Sequence, residues 1–151
     1  MKPPITDNER KTFLCNFEYE IRNVIYGMTN LRYSNGLFPT IVYVGILTYL
    51  RNFYEFFYED GNGDKAHAKH YILNWEIKNP FKEIRKWNTQ MNTHLSHLSY
   101  TRVRGEFKQY PIDELYNHYM GLAIIFLNEI PQKYITPNLK KLLEDLRQFS
   151  V

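Results

Sequence analysis

Residues Thr6 to Arg32 read TDNERKTFLCNFEYEIRNVIYGMTNLR, and this stretch decides the fold class. Thr6 and Glu9 stand at capping-box spacing, where a threonine hydroxyl and a glutamate carboxylate can each satisfy a backbone N–H that the first helical turn leaves unbonded. Behind them Leu14, Phe17, Ile21, Val24, Met28 and Leu31 recur at intervals of three and four. That is the period of a helix with one buried face, and it predicts an amphipathic helix over 7–32.

The same grammar continues in the C-terminal direction. Ser34-Asn35-Gly36 stops the first helix, and Pro39 suits the first turn of a second one running to about Asp60. Gly61-Asn62-Gly63-Asp64 breaks the chain. Residues 66–73 read as a short helix and 74–79 as a connection. Asn79-Pro80 has the form of a cap followed by proline at the first helical position, and Phe81, Ile84, Met91, Leu95 and Leu98 then mark a third long helix over 80–100. Thr101 to Tyr110 reads as a loop. Pro111 opens a helix with Asp113 and Glu114 in its first turn, where the positive end of the helix dipole favours acids. Leu115, Tyr119, Leu122, Ile125 and Phe126 are its expected buried side. Pro131 ends it, and Thr136-Pro137 starts a last helix containing Leu139, Leu142, Leu143 and Leu146. No strand-like alternation and no internal repeat interrupts this series. The expectation is an all-α, antiparallel helical bundle of four long helices plus one or two short ones, forming a single domain over 1–151.

Composition fits that expectation. A chain of 151 residues can bury a core without staples, and its lone cysteine, Cys15, excludes an internal disulfide. A reducing compartment, the cytoplasm, is therefore expected. Met1-Lys2-Pro3-Pro4-Ile5 lacks the apolar run of a secretory signal, so the start reads as the true start. The apolar stretch Leu37–Leu50 contains Pro39, Thr40, Gly45 and Thr48 and ends at Arg51, well short of the roughly 20 residues of a spanning helix. It reads as a buried helix, with no membrane partner. Aromatic residues make up 17% of the chain, 13 of them tyrosines, so the core should be aromatic and its hydroxyls should need partners.

The net charge of +3 is unevenly spread. Between Lys78 and Lys108 lie seven basic residues (Lys78, Lys82, Arg85, Lys86, Arg102, Arg104, Lys108) against Glu83 and Glu106, so this segment is +5 and the remainder −2. Positive charge gathered on one helix and the loop after it is an electrostatic footprint of phosphate or RNA binding; the plainer reading is a solvated face.

Inside the basic region, residues 87–102 are polar for a helix of a small bundle: Trp87, Asn88, Thr89, Gln90, Asn92, Thr93, His94, Ser96, His97 and Ser99 alternate with Met91, Leu95 and Leu98. Such a row beside a core stripe must be hydrogen-bonded or face a cleft. Three readings fit. His97 can act as acid or base on a phosphodiester, because imidazole titrates near neutral pH. His94 and His97 can join His67 and His70, which share the His-x-x-His spacing, in a metal site, although no carboxylate stands at ligand spacing beside either pair. Or the polar groups bond across helices or across a homodimer interface.

The run Asn92-Thr93-His94-Leu95-Ser96-His97-Leu98-Ser99-Tyr100 resembles the third-helix segment of HEPN-like proteins, a helical superfamily that includes toxin and defence ribonucleases. The resemblance implies a metal-independent ribonuclease site, without a cofactor, in a cleft shared by two protomers. It places the catalytic histidine at His97, with His94 or Asn92 positioning ribose or phosphate. The superfamily's arginine, four to six intervening positions before that histidine, would fall on Asn92, Met91 or Gln90, and counted from His94 on Thr89, Asn88 or Trp87. None of these is arginine. Arg102, Arg104 or Arg51 would then have to hold the phosphate, Arg51 otherwise pairing with Glu55 along its helix. The expected partners are RNA and a second copy of the chain. A non-catalytic interaction domain is the alternative.

Overall fold

The computed structural model describes residues 5–33, 38–59, 65–96 and 110–149; the side chains of residues 33, 38–40, 94, 96 and 149 lie outside that description. The described residues are helical, without strands. The helices are α1 (Asp7–Tyr33), α2 (Phe38–Tyr58), α3 (Ile84–Ser96), α4 (Ile112–Glu129) and α5 (Pro137–Phe149), with 3-10 turns at Ala68–His70 and Gln132–Tyr134. No helix among the described residues is long and apolar enough to cross a membrane.

α1 begins where its sequence says it should. The Thr6 hydroxyl accepts the Glu9 N–H at 3.2 Å, and a Glu9 carboxylate oxygen accepts the Thr6 N–H at 2.7 Å, closing the capping box. Leu14, Phe17, Ile21, Val24 and Met28 are buried, mainly against α2. The two helices approach closely at Gly27, where an added Cβ would sit 2.8 Å from Ile46 Cγ1. α2 in turn meets α3 and α4, while α5 packs on α4 and α1. α5 starts on the predicted cap: Thr136 Oγ1 accepts the Leu139 N–H at 3.2 Å.

The core is a ring network centred on Phe126 of α4. Its ring lies 5.4 Å from that of Phe17, 5.0 Å from Phe56, 5.6 Å from Tyr71 and 5.9 Å from Trp75, mostly edge to face. This arrangement suits the negative faces and positive edges of aromatic rings. Tyr71 and Trp75 reach this core from the connection between α2 and α3. They carry their polar atoms to backbone partners, Tyr71 Oη donating to Arg10 O at 3.0 Å and Trp75 Nε1 to Phe57 O at 3.1 Å.

Three expectations require correction. The short helix over 66–73 is instead a single 3-10 turn, because His67 caps it: its Nδ1 accepts the Lys69 N–H at 3.0 Å, and the chain leaves helical geometry after Tyr71. The third helix starts at Ile84 and not at Pro80, because Glu83 adopts a left-handed φ of 60° that no helix can continue through. Ile125 is not on the buried side of α4; it is 48% exposed, and Leu115, Tyr119, Leu122 and Phe126 form that side without it.

Candidate functional site

A hydrogen-bonded tyrosine–histidine pair forms where α2 ends against the middle of α4. Tyr58, the last residue of α2, brings its hydroxyl within 2.6 Å of His118 Nε2, and the same oxygen accepts the Phe81 N–H at 3.3 Å. The phenol oxygen takes the Phe81 N–H on one lone pair and shares a proton with Nε2, the direction following the imidazole tautomer. Burial pushes the His118 pKa below the ordinary 6.5, which favours the neutral ring. Phe81 stands 5.6 Å from the imidazole and Tyr119 5.5 Å. Behind it the Tyr119 hydroxyl is buried without a hydrogen-bond partner among the described residues, which holds its proton on well above the usual phenol range.

His118 opens on a cleft of about 500 Å³ between α4 and the segment 75–79. Trp75, Ile77, Leu122 and Ile125 give it apolar walls; Glu76, Lys78, Asn79, Asn117 and Glu129 supply polar groups. A volume of that size can take a small molecule. The segment 75–79 carries the chain from Trp75, pinned to Phe57, to the turn that starts α3. Gly121 leaves open space in the wall, since a Cβ there would meet nothing within 4 Å.

A second feature lies at the start of α3. Its first turn carries Arg85 and Lys86 and no acid, the reverse of what the helix dipole favours. Lys78, Lys82, Arg85 and Lys86 are all exposed. Glu83, just before the helix, is taken by Lys86 at 3.0 Å. Further along, Thr89 and Thr93 turn their hydroxyls back onto the Arg85 and Thr89 carbonyls at 2.9 and 3.0 Å. Asn88 Oδ1 and Gln90 Oε1, by contrast, are buried without a hydrogen-bond partner among the described residues. The polar face of this helix is thus only partly satisfied.

The residues singled out by sequence fall in different places. Asn92 is half-buried on α3. Arg51 is half-buried on α2, where its guanidinium reaches Asn52 Oδ1 at 3.5 Å, while Glu55 bonds Lys65 at 3.0 Å. His97, Arg102 and Arg104, and the side chain of His94, lie outside the described residues. His67 and His70 are rings 6.0 Å apart, but His67 is 1% exposed and its Nδ1 serves as a cap. Burial and the neighbouring Arg10 cation hold the His70 pKa below 6.5, and the same cation would oppose a metal ion. Among the described residues no group of three or more histidine, cysteine, aspartate or glutamate side chains is placed to hold a metal.

Sequence reasoning missed His118 and the cleft. The signal was present: Leu115, His118 and Leu122 share the spacing of the buried stripe, so an imidazole at the stripe's edge needed a partner. The partner, Tyr58, is 60 residues away and nothing local announces it.

No protein-family model, curated protein or solved structure matches this chain.

Proposed function

We propose that this chain binds RNA, or another phosphate-bearing ligand, at the N-terminal end of α3. The observation that carries the reading is the pair of cations in the first turn of that helix, with Lys82 beside them and no acid inside the turn. Left alone, this arrangement opposes the helix dipole; a phosphate accepting from the Arg85 and Lys86 N–H groups of the first turn and from the Lys82 and Arg85 side chains relieves it. The half-satisfied polar face over Asn88–Gln90 continues from the same turn. On this reading the HEPN-like resemblance supplies the chemistry: His97 is the acid or base, and the antiparallel bundle of that superfamily is the topology.

A salt titration of binding to a single-stranded 12-nucleotide RNA tests the reading. Each of Lys82→Glu and Arg85→Glu should weaken binding and reduce the salt slope by about 1. Arg85→Glu places an acid where the dipole favours it, so lost binding cannot be laid to a weakened helix. Gel analysis of the same samples with His97→Ala reports whether bound RNA is cut and by which residue. A wild-type protein that leaves the RNA unbound at 50 mM salt refutes the proposal.

One observation favours a second reading, a homodimerising interaction domain. Tyr19 and Tyr26 on α1 and Ile41 and Val44 on α2 are large apolar side chains left exposed, and α1 and α2 are packed together. Sedimentation of wild type beside Tyr26→Glu distinguishes a dimer built on this face from a monomer.

A further inference from the structure

We infer that the cleft beside His118 is a separate binding site for a small organic cation with a flat apolar body, such as a protonated arylalkylamine. Its charge is opposite to that of the α3 start. The ionisable residues that line it, besides His118, are Glu76, Lys78 and Glu129, one net negative charge on a chain of net +3. Burial keeps His118 neutral, so it adds no positive charge at neutral pH.

The helix dipole acts in the same direction. Glu129 is the last residue of α4, and the last turn holds no basic residue of its own. The negative end of the helix and a carboxylate therefore converge on one end of the cleft, an arrangement that favours a cation and repels a phosphate. Arg147 of α5 reaches the same turn, but it bonds Asn128 Oδ1 at 2.6 Å, and neither residue lines the cleft.

The remaining walls select a body for that cation. Ile77, Leu122 and Ile125 are apolar, and Trp75 has its indole N–H committed to Phe57 O, which leaves its contribution to the cleft apolar as well. Ile125 is otherwise an unexplained exposed aliphatic side chain on a helix whose neighbours at 122 and 126 are buried. The amides of Asn79 and Asn117 and the His118 ring edge supply neutral hydrogen-bonding groups between the two ends. This site does not depend on RNA binding at α3, and the two are tested with different ligands.

The test uses three probes with one ring system: tryptamine, the neutral tryptophol and the anionic indole-3-propionate. Each is titrated into the full chain while the ring resonances of His118 are followed by NMR. Tryptamine should shift them with an affinity about threefold above tryptophol, the increment expected of one net negative charge at the rim, and indole-3-propionate should be weaker still. Glu129→Gln should lower tryptamine affinity about threefold; removing an acid from a helix C-terminus does not weaken the helix. Gly121→Leu, entering open space, should abolish binding with the fold intact. Equal affinities for the amine and the alcohol, preference for the anion, unshifted His118 resonances, or tryptamine binding that survives Gly121→Leu would each overturn the proposal.

Discussion

Tyr58 Oη and His118 Nε2 meet at 2.6 Å, joining the end of α2 to the middle of α4, and the same oxygen also receives the Phe81 N–H. One phenol thus fixes three segments, including the turn that launches α3. Tyr58→Phe keeps the ring, which stacks on Tyr54 at 5.2 Å, and removes only the hydroxyl. Unfolding in urea should show a loss of about 1–3 kcal/mol, the cost of two hydrogen bonds, one of which leaves a backbone N–H unpaired. Hydrogen exchange should quicken at Phe81. Unchanged stability would mean that the pair is incidental.

His118 and His70, whose pKa values burial holds below 6.5, make stability depend on pH in a defined direction. Between their folded values and 6.5 the unfolded chain binds more protons than the folded one, so stability rises with pH through that window. Their contribution is complete above about 6.5 and is lost as the pH falls toward the folded values. Urea midpoints at pH 5.5 should lie below those at 7.5, and the double variant His70→Gln/His118→Gln should flatten the difference. A wild-type profile that is level over this range would contradict the assignment.

Asp7 behaves in the opposite sense. Hydrogen bonds from Lys133, then Tyr134, then Arg10 hold its carboxyl well below the carboxylate range, at 2.6, 2.6 and 3.0 Å. Asp7→Asn should loosen the first turn of α1 and the Gln132–Tyr134 turn together at pH 7, seen as faster amide exchange at both. The wild-type advantage is present above the ordinary aspartate pKa of 3.8 and disappears as the pH falls through the lower folded value. Because the cluster is exposed, added salt should shrink it further.

Glycines at three helical positions should answer differently to alanine. At Gly27 the new methyl collides with Ile46, whose Cγ1 and Cδ1 stand 2.8 and 3.2 Å from the Cβ position, and Ile46 is itself buried. Overpacking of about 1–3 kcal/mol outweighs the gain in helix propensity, so Gly27→Ala should destabilise. Gly45 and Gly121 have nothing within 4 Å, and Gly45→Ala and Gly121→Ala should each stabilise by about 0.5–1 kcal/mol. Thermal unfolding of the three single variants checks the ordering.

The helices were legible where the signal is local. Thr6 and Glu9, or Thr136 and Leu139, lie within one turn of each other, so their residue types alone specify the caps. The start of α3 was not, because Glu83 carries no mark of its left-handed φ; Asn79-Pro80 looks like a helix start, and the turn at 81–83 follows from Phe81 being drawn to Tyr58 and His118. Ile125 was misjudged because one residue of helix turns the side chain by about 100°, enough to leave the stripe that Phe126 ends and enter the cleft. The cleft itself depends on the segment 75–79 lying beside α4, a relation between distant parts of the sequence that no periodicity records. The run at 94–97 holds two histidines on one helix, whereas the histidine whose side chain bonds a residue of another helix at 2.6 Å is the solitary one at 118.

The ties from α1 to the far part of the chain also set a clock. Asp7 bonds Tyr134 across 127 residues of sequence and Arg22 bonds Asp145 across 123. At a synthesis rate of about 5–20 residues per second, α1 waits roughly 6–25 s after leaving the ribosome for these partners to be made. Through the first part of that interval, until Tyr71 and then Phe126 are made, its apolar stripe has only α2 to cover it, so the close approach at Gly27 serves the growing chain before it serves the finished one.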